Sequence, residues 1–325
     1  MGPRIIVTGG AGFIGSNLIA ALNARGERDI LLVDRLGDGP KWRNLVGLEF
    51  EDYLDKAELR ERVRAGRLDA PAAVFHLGAC SDTTEADAGY LMDNNTRYTR
   101  ELCEWSLAAG ARFIYASSAA TYGDGSRGYD DDDGATPDLR PLNMYGLSKQ
   151  LFDLWALRCG LFDRIVGLKY FNVYGPGERH KGAMRSVVHK AFEQITAGGS
   201  LALFRSHRPE YRDGEQVRDF VFVDDAVAVT LHFWEHPEAA GLFNCGTGRA
   251  RTWLDLARAV FAAMGREERI EFIDMPVELR GRYQYHTEAA TAKLRAAGCA
   301  PPPTSLEDGV RATIEHLAAL AAAGG

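Results

Sequence analysis

The twelve residues VTGGAGFIGSNL, Val7 to Leu18, constrain the fold of this chain more than any other stretch. An apolar run, RIIVT, leads into them and a helix-like pattern, FIGSNLIAALNARG, leads out, so Gly9, Gly12 and Gly15 occupy a turn from a strand into a helix. Glycine there permits a tight turn, lets backbone approach a bound group closely and lets the helix pack against its strand. A second apolar run, DILLVD, ends on Asp34, nineteen positions after Gly15. Strand, glycines, helix, strand and terminal acid in this order predict a dinucleotide-binding βαβ unit, with pyrophosphate at the helix N-terminus and ribose at the acid.

The same rhythm continues. AAVFHLGA, ARFIYASS and IVGLKYFNVY are short, nearly continuous apolar runs separated by helical patterns, which predicts an α/β fold: a doubly wound parallel (Rossmann-type) sheet covered on both faces. After Gly175 the pattern is less regular, with a polar loop SHRPEYRDGEQ, strands in RDFVFVDD and GLFNCG, and helices toward the C-terminus. This predicts a smaller α/β substrate-binding lobe. Residues 1–170 are expected to form the cofactor domain, with 218–248 returning to it, and residues 171–217 and 249–325 the lobe. The run Asp130 to Asp133 reads as a solvated loop rather than a metal site, because hard-cation loops alternate their ligands.

Composition narrows the class. With 325 residues, 46% hydrophobic and 26% charged, the chain is long enough to bury a sizeable core, and no run reaches the length needed to cross a bilayer. A formal charge of -7 disfavours nucleic acid and anionic lipid as partners. Cys80, Cys103, Cys159, Cys245 and Cys299 are scattered and lack a CxxC pair, so they read as reduced, mostly buried thiols, and no metal is expected. The N-terminal segment runs straight into a strand without a leader pattern, which reads as cytoplasmic.

Asp34 taken alone favours NAD, since a carboxylate accepts from a free ribose hydroxyl and repels a 2'-phosphate. Arg35 follows it, however, and Lys41 and Lys56 lie near in sequence; three cations would offset that carboxylate and favour NADP, with NAD still open. NMYGLSKQLFDLW places Tyr145 and Lys149 four residues apart on one helical face. An ammonium there is expected to lower the phenol pKa and make Tyr145 a proton shuttle. YASSAATYG, ending a strand, offers Ser118 and Thr121 to hydrogen-bond a substrate hydroxyl. Together these predict reversible oxidation of a carbinol beside a nicotinamide: dehydrogenation, dehydration of a keto intermediate, or epimerisation.

Over nearly its whole length the chain resembles the extended short-chain dehydrogenases/reductases, and within them the ADP-L-glycero-D-manno-heptose 6-epimerases. The motifs that carry this are VTGGAGFIGSN, HLGACSDTTE, MDNN, YASSAATYG, NMYGLSK, YFNVYGP, HKGAM, RDFVFVDD, FNCGTGRA and GRYQ. GACS, HKG and GRYQ point to the narrower family; the glycine spacing is the short-chain variant. Sugar dehydratases of the extended group place an Asp-Glu pair where this chain has Ala119 and Ala120, which argues against elimination.

The resemblance implies an NADP-containing cytoplasmic homopentamer that inverts C6'' of an ADP-heptose, a precursor of lipopolysaccharide core, through a 6''-ketone. It implies Tyr145 and Lys181 as acid/base groups for the two faces, Ser118 on the reacting oxygen, and Lys149 holding Tyr145 and the ribose. Gly9, Gly12, Phe13, Ile14, Gly15, Asp34, Arg35, Lys41, Lys56, Leu77, Gly78, Ala79, Cys80, Ser81, Asn94, Lys149, Val173 and Lys181 match cofactor positions. Ser118, Asn172, Ala183, Lys190, Phe204, Arg205, Ser206, His207, Arg218 and Tyr283 match substrate positions.

The departures fall mostly in the lobe. Arg35 stands where better-known members have asparagine, Leu77 where some have glutamate, and Ala183 where a substrate-binding serine is expected. A histidine expected before the SHRPEYRDGEQV loop is represented by His189 or Lys190, and that loop is longer than usual. Arg218 next to Asp219 reads either as a phosphate contact or as a surface pair; Tyr283 and Phe204 as substrate contacts or packing; Trp253 and His76 as core. A 4-epimerase acting on a UDP-hexose and a non-catalytic NADP-binding sensor are the competing functions. Sensors of this fold lose the Tyr or Lys, and both are present here.

Overall fold

The computed structural model describes residues 4–281 and 283–322. The first half builds one sheet with its crossover helices. In chain order these are β1 (Ile5–Thr8), α1 (Phe13–Ala24), β2 (Ile30–Asp34), β3 (Asp52–Asp55), α2 (Lys56–Arg64), β4 (Ala73–His76), α3 (Ala88–Leu91), α4 (Tyr98–Ala108), β5 (Arg112–Ser118), α5 (Met144–Arg158) and β6 (Ile165–Tyr170); a π-helical stretch Met92–Arg97 joins α3 to α4. The second half supplies β7 (Asn172–Tyr174), α6 (Val187–Gly198), β8 (Leu201–Phe204), β9 (Val217–Phe222), α7 (Val223–Glu235), β10 (Gly241–Cys245), β11 (Ala250–Thr252), α8 (Trp253–Ala263), β12 (Ile270–Ile273), α9 (Val277–Arg280), α10 (Ala292–Ala296) and α11 (Leu306–Ala322).

Seven parallel strands form the large sheet in the order β3-β2-β1-β4-β5-β6-β10. Its interior strands are largely apolar at successive positions because both faces are covered. Ile5 and Val7 pack with Leu18, Leu22 and Leu231 of α1 and α7, whereas the intervening Ile6 packs with Tyr98, Leu102 and Phe152 of α4 and α5. A third cluster, with Val188, Leu203, Phe220, Val260 and Ile314, is the core of the smaller lobe, and Phe13 at the start of α1 belongs to it. The lobe is therefore packed directly against the glycine turn.

Three sequence expectations change here. IVGLKYFNVY is two strands: the chain breaks at buried Phe171, whose N–H donates to Cys245 O, and β7 then pairs with β9 in a three-stranded sheet β11-β9-β7. RDFVFVDD therefore supplies a strand of the lobe sheet, while α7 and β10 from the 218–248 segment lie on the large one.

The acidic run is not simply solvated. Asp131 is buried and accepts the N–H of Asn244, and Asp133 accepts that of Leu242 and pairs with Lys293 at 2.8 Å. These are alternate N–H groups of β10, the outermost strand, so the run closes an edge that would otherwise present free donors. Among the described residues no cluster of three or more His, Cys, Asp or Glu is placed to hold a metal, and no helix is long and apolar enough to cross a membrane.

Candidate active site

The C-terminal ends of the parallel strands open on a cleft of about 290 Å³. Its floor is the glycine turn. Gly9 has φ +69° and lies so close to the loop after β4 that an added Cβ would stand 2.7 Å from Gly78 N; one on Gly15 would stand 2.1 Å from Gly9 O. The first turn of α1 carries no acid and Gly12 caps it without a side chain, so its N–H groups meet the cleft unscreened. Phe13, Ile14, Leu77, Gly78, Ala79, Ser81 and Val173 line the same space. Cys80 is fixed by its backbone, giving its N–H to Asn95 Oδ1 and taking Asn95 Nδ2, both at 2.9 Å.

At the far end Asp34 is buried and accepts from Ala11 N at 3.0 Å, Arg35 N at 2.6 Å and the ammonium of Lys41. An adjoining chamber of about 200 Å³ brings together Arg35, Lys41, Lys56 and Asn94. Lys56 Nζ donates to Asn94 Oδ1 at 2.7 Å, and burial, then the neighbouring Arg35, lowers its pKa. The Asp34 carboxylate is thus already paired where three cations converge. Backbone a side chain would fill, an unscreened helix N-terminus, an acid and a cationic pocket fit a nicotinamide dinucleotide.

Ser118 ends β5 and Tyr145 lies in the first turn of α5, whose N-cap Asn143 accepts Gly146 N–H at 2.8 Å. Lys149 sits one turn on, buried, with Nζ donating to Ala116 O at 2.7 Å. Burial pushes its pKa down to about 8, opposed by Asp153. Burial also raises Tyr145, and it is the hydrogen bond with Ser118 that draws the phenol back. This corrects the expectation that the neighbouring ammonium lowers it: Lys149 is turned to a carbonyl of β5. Thr121 is likewise not free for substrate, since it is buried, donates to Ser118 O and accepts Lys169 Nζ at 2.9 Å. Lys181 lies in a short 3-10 turn, Arg179–Met184, with Nζ 5.1 Å from the centre of the Phe13 ring, and lines the cleft that Ser118, Tyr145 and Lys149 also line.

A chamber lined by Ser118, Tyr145, Lys181 and Asn172 leads to a larger cavity of about 540 Å³ in the lobe. Asn172, Lys190, Phe204, Arg218 and Tyr283 line that cavity. Arg205, Ser206, His207 and Ala183 do not. Arg205 is exposed and pairs with Asp213 at 3.3 Å, Ser206 N–H is held by Asp213 at 2.8 Å, His207 N–H by Tyr285 OH at 3.0 Å, and Ala183 is exposed on the turn. Arg218 is no surface pair: it is buried beneath the rings of Trp253 and Tyr283, at 5.5 and 4.9 Å, while Asp219 accepts from the backbone of Thr247, Gly248 and Ala289.

The model of the NAD dependent epimerase/dehydratase family matches residues 5–246. The chain belongs to that family. A protein of Nitratidesulfovibrio vulgaris strain DP4 named ADP-L-glycero-D-manno-heptose-6-epimerase is 56% identical to this epimerase-family chain over 316 residues, 97% of this chain and 98% of the relative. Among solved structures, the ADP-L-glycero-D-manno-heptose-6-epimerase of Helicobacter pylori has a TM-score of 0.81 at 27% identity, covering 98% of this chain and 97% of that one. The UDP-glucose 4-epimerase of Thermotoga maritima with UDP-glucose has 0.79 at 28% identity, covering 98% and 99%.

In this epimerase-family chain several residues to which the sequence assigned no site role line the site. Trp253, read as core, lines the lobe cavity and donates from Nε1 to Tyr283 OH at 2.8 Å; Thr83, Gln194 and Gln284 line it too. His180 lines the cofactor cleft, and its Nδ1 is 3.0 Å from Asn44 Nδ2. The same Asn44 nitrogen faces the carbonyls of Ala11 and Gly177, so it donates and Nδ1 accepts. Burial with Lys41 and Lys181 pushes this imidazole down to about 4. The HKG motif names His180 in the sequence; only the fold brings it to Asn44.

Proposed function

We infer that this chain is an ADP-L-glycero-D-manno-heptose 6-epimerase, converting ADP-D-glycero-D-manno-heptose to its L-glycero epimer through a 6''-ketone. The observation that carries the chemistry is that Lys181 opens on the same cleft as Ser118, Tyr145 and Lys149. Oxidising a carbinol and reducing it again on the same face needs one proton-transfer group, whereas inversion is served by two. The relatives' names supply the sugar.

Gly9, Gly12, Gly15, Phe13 and Ile14 with the Leu77 to Ser81 loop would hold a nicotinamide cofactor, which supplies reversible hydride transfer when bound. Arg35, Lys41 and Lys56, set around a paired Asp34, support NADP over NAD by the demand a 2'-phosphate makes for cations. Ser118 binds the oxygen at C6'', and Tyr145 takes or returns its proton on one face. Lys181 does so on the other. Lys149, whose ammonium is held at β5, would also hold the cofactor ribose. In the lobe, Arg218, Lys190 and Asn172 take the diphosphate and sugar hydroxyls, and Phe204, Trp253 and Tyr283 enclose the nucleoside. Arg205, Ser206, His207 and Ala183 match family positions and border this region from outside the cavity. The family resemblance further supports a cytoplasmic homopentamer, which light scattering of the purified protein tests.

The deciding experiment incubates the protein with ADP-D-glycero-D-manno-heptose and follows C6'' by NMR. Appearance of the L-glycero epimer is expected. Unchanged heptose alongside turnover of a UDP-hexose overturns the assignment in favour of a 4-epimerase.

A further inference from the structure

The turn between β7 and α6 contains one buried carboxylate, and it faces the turn's one lysine. Glu178 is 1% exposed. Its Oε1 accepts Gly175 N–H at 3.2 Å, where the chain leaves β7. Its Oε2 accepts Ser186 N–H at 2.7 Å, at the N-cap of α6, and stands 3.5 Å from Lys181 Nζ. A single side chain therefore closes both ends of the turn and meets the ammonium between them.

The opposite side of the turn is held by other groups. Asn17 Nδ2 donates to Pro176 O at 3.0 Å, and Asn44 Nδ2 to Gly177 O at 3.1 Å. These neutral amides come from α1 and the segment after β2, and they hold the turn backbone alongside Glu178. What they leave unfixed is the lysine side chain, a flexible four-carbon stem carrying about 2 kcal/mol of rotamer entropy. Among the described residues Glu178 is the carboxylate that pairs with Lys181. At 3.5 Å the contact is long for a charge-assisted hydrogen bond, so it restrains the ammonium while leaving its protons available to a substrate.

We propose that Glu178 is a positioning residue for Lys181, holding its ammonium at the mouth of the cleft from inside the turn. The inference rests on the reading of Lys181 as the proton-transfer group of the second face.

A double-mutant cycle tests it, using Glu178→Gln, Lys181→Met and the pair, with ADP-heptose epimerisation as the assay and cofactor affinity measured separately by fluorescence titration. Glu178→Gln is expected to lower kcat by about tenfold to a hundredfold, with KM and cofactor affinity within about threefold of the parent. In the Lys181→Met background the same change should cost less than about twofold, because the group it acts through is gone. An equal cost in both backgrounds, or a loss carried by KM or cofactor affinity, overturns the inference and leaves Lys181's own role standing. If instead Lys181→Met keeps the parental kcat, the reading of Lys181 falls and this inference falls with it. Should Glu178→Gln fail to fold by circular dichroism, Glu178→Asp runs the same cycle with the carboxylate drawn back by one methylene. A parental kcat in that variant likewise overturns the proposal.

Discussion

Lys149 shows how a single buried group sets a pH limit. Its Nζ is satisfied by Ala116 O at 2.7 Å, yet burial lowers its pKa from 10.5 to about 8. The folded protein thus releases this proton before the unfolded chain does. Between about 8 and 10.5 the unfolded state binds the extra proton, so this residue's contribution to stability rises with pH across that window. Activity is expected to run the other way, because the Lys149 cation is present below about 8 and lost above it. We expect kcat to fall on the alkaline side with an apparent pKa near that value, and Lys149→Met to lower kcat and abolish that limb. A flat profile to pH 10 would remove Lys149 from the mechanism. Burial raises the Tyr145 phenol and its hydrogen bond with Ser118 lowers it. Tyr145→Phe should cut kcat by about 10²- to 10⁴-fold, the usual range for a lost acid/base group. A loss under about tenfold in steady-state assays would mean that another residue moves the proton.

At the scale of elements, the interior strands were readable because their runs are nearly continuously apolar, and the edges were not. β3, with the sequence DYLD, is an edge strand whose Asp52 is exposed, so neither alternation nor a continuous apolar run marks it. The opposite edge, β10, is apolar, but its protection comes from Asp131 and Asp133, more than a hundred residues earlier. An acid run looks solvated until the strand whose donors it meets is known. Asp131→Ala would strip a buried N–H of its acceptor; chemical denaturation should show a loss of about 1–3 kcal/mol with kcat unchanged. The cationic pocket likewise joins three elements, the end of β2, the 3-10 turn after it and the start of α2. The sequence expected Arg35, Lys41 and Lys56 to surround one phosphate, and all three line one chamber. Lys41 has the further task of pairing Asp34. Lys41→Ala should therefore act twice, removing a phosphate partner and exposing the carboxylate, and swing the NADP-to-NAD affinity ratio toward NAD by at least about tenfold in titrations of the purified protein.

Across the whole molecule, the site is a cleft in the large sheet continued by a cavity in the lobe. Its cofactor half was legible because glycine spacing, Asp34 and the Tyr-Lys pair are local patterns. The lobe half was less so: Trp253, Tyr283 and Arg218 come from α8, the segment after α9 and β9, and meet only when the three-stranded sheet forms. Arg218 is the sharpest case. Its neighbour Asp219 is engaged by Thr247, Gly248 and Ala289, and among the described residues no carboxylate pairs with the guanidinium. Aromatic faces at 5.5 and 4.9 Å orient it without neutralising it. A buried, oriented and unneutralised guanidinium suits a diphosphate that arrives with the substrate, and lysine cannot reproduce its planar fork. Arg218→Lys should raise KM for the ADP-heptose by about tenfold to a hundredfold, the worth of one charge-assisted contact, with kcat within about threefold. The same variant should bind free ADP more weakly by a similar factor in calorimetry, since the proposed contact is with the nucleotide rather than the reacting carbon. If KM and ADP affinity hold while kcat drops, Arg218 acts on the chemistry, and the division of labour between cleft and lobe drawn from this geometry is wrong.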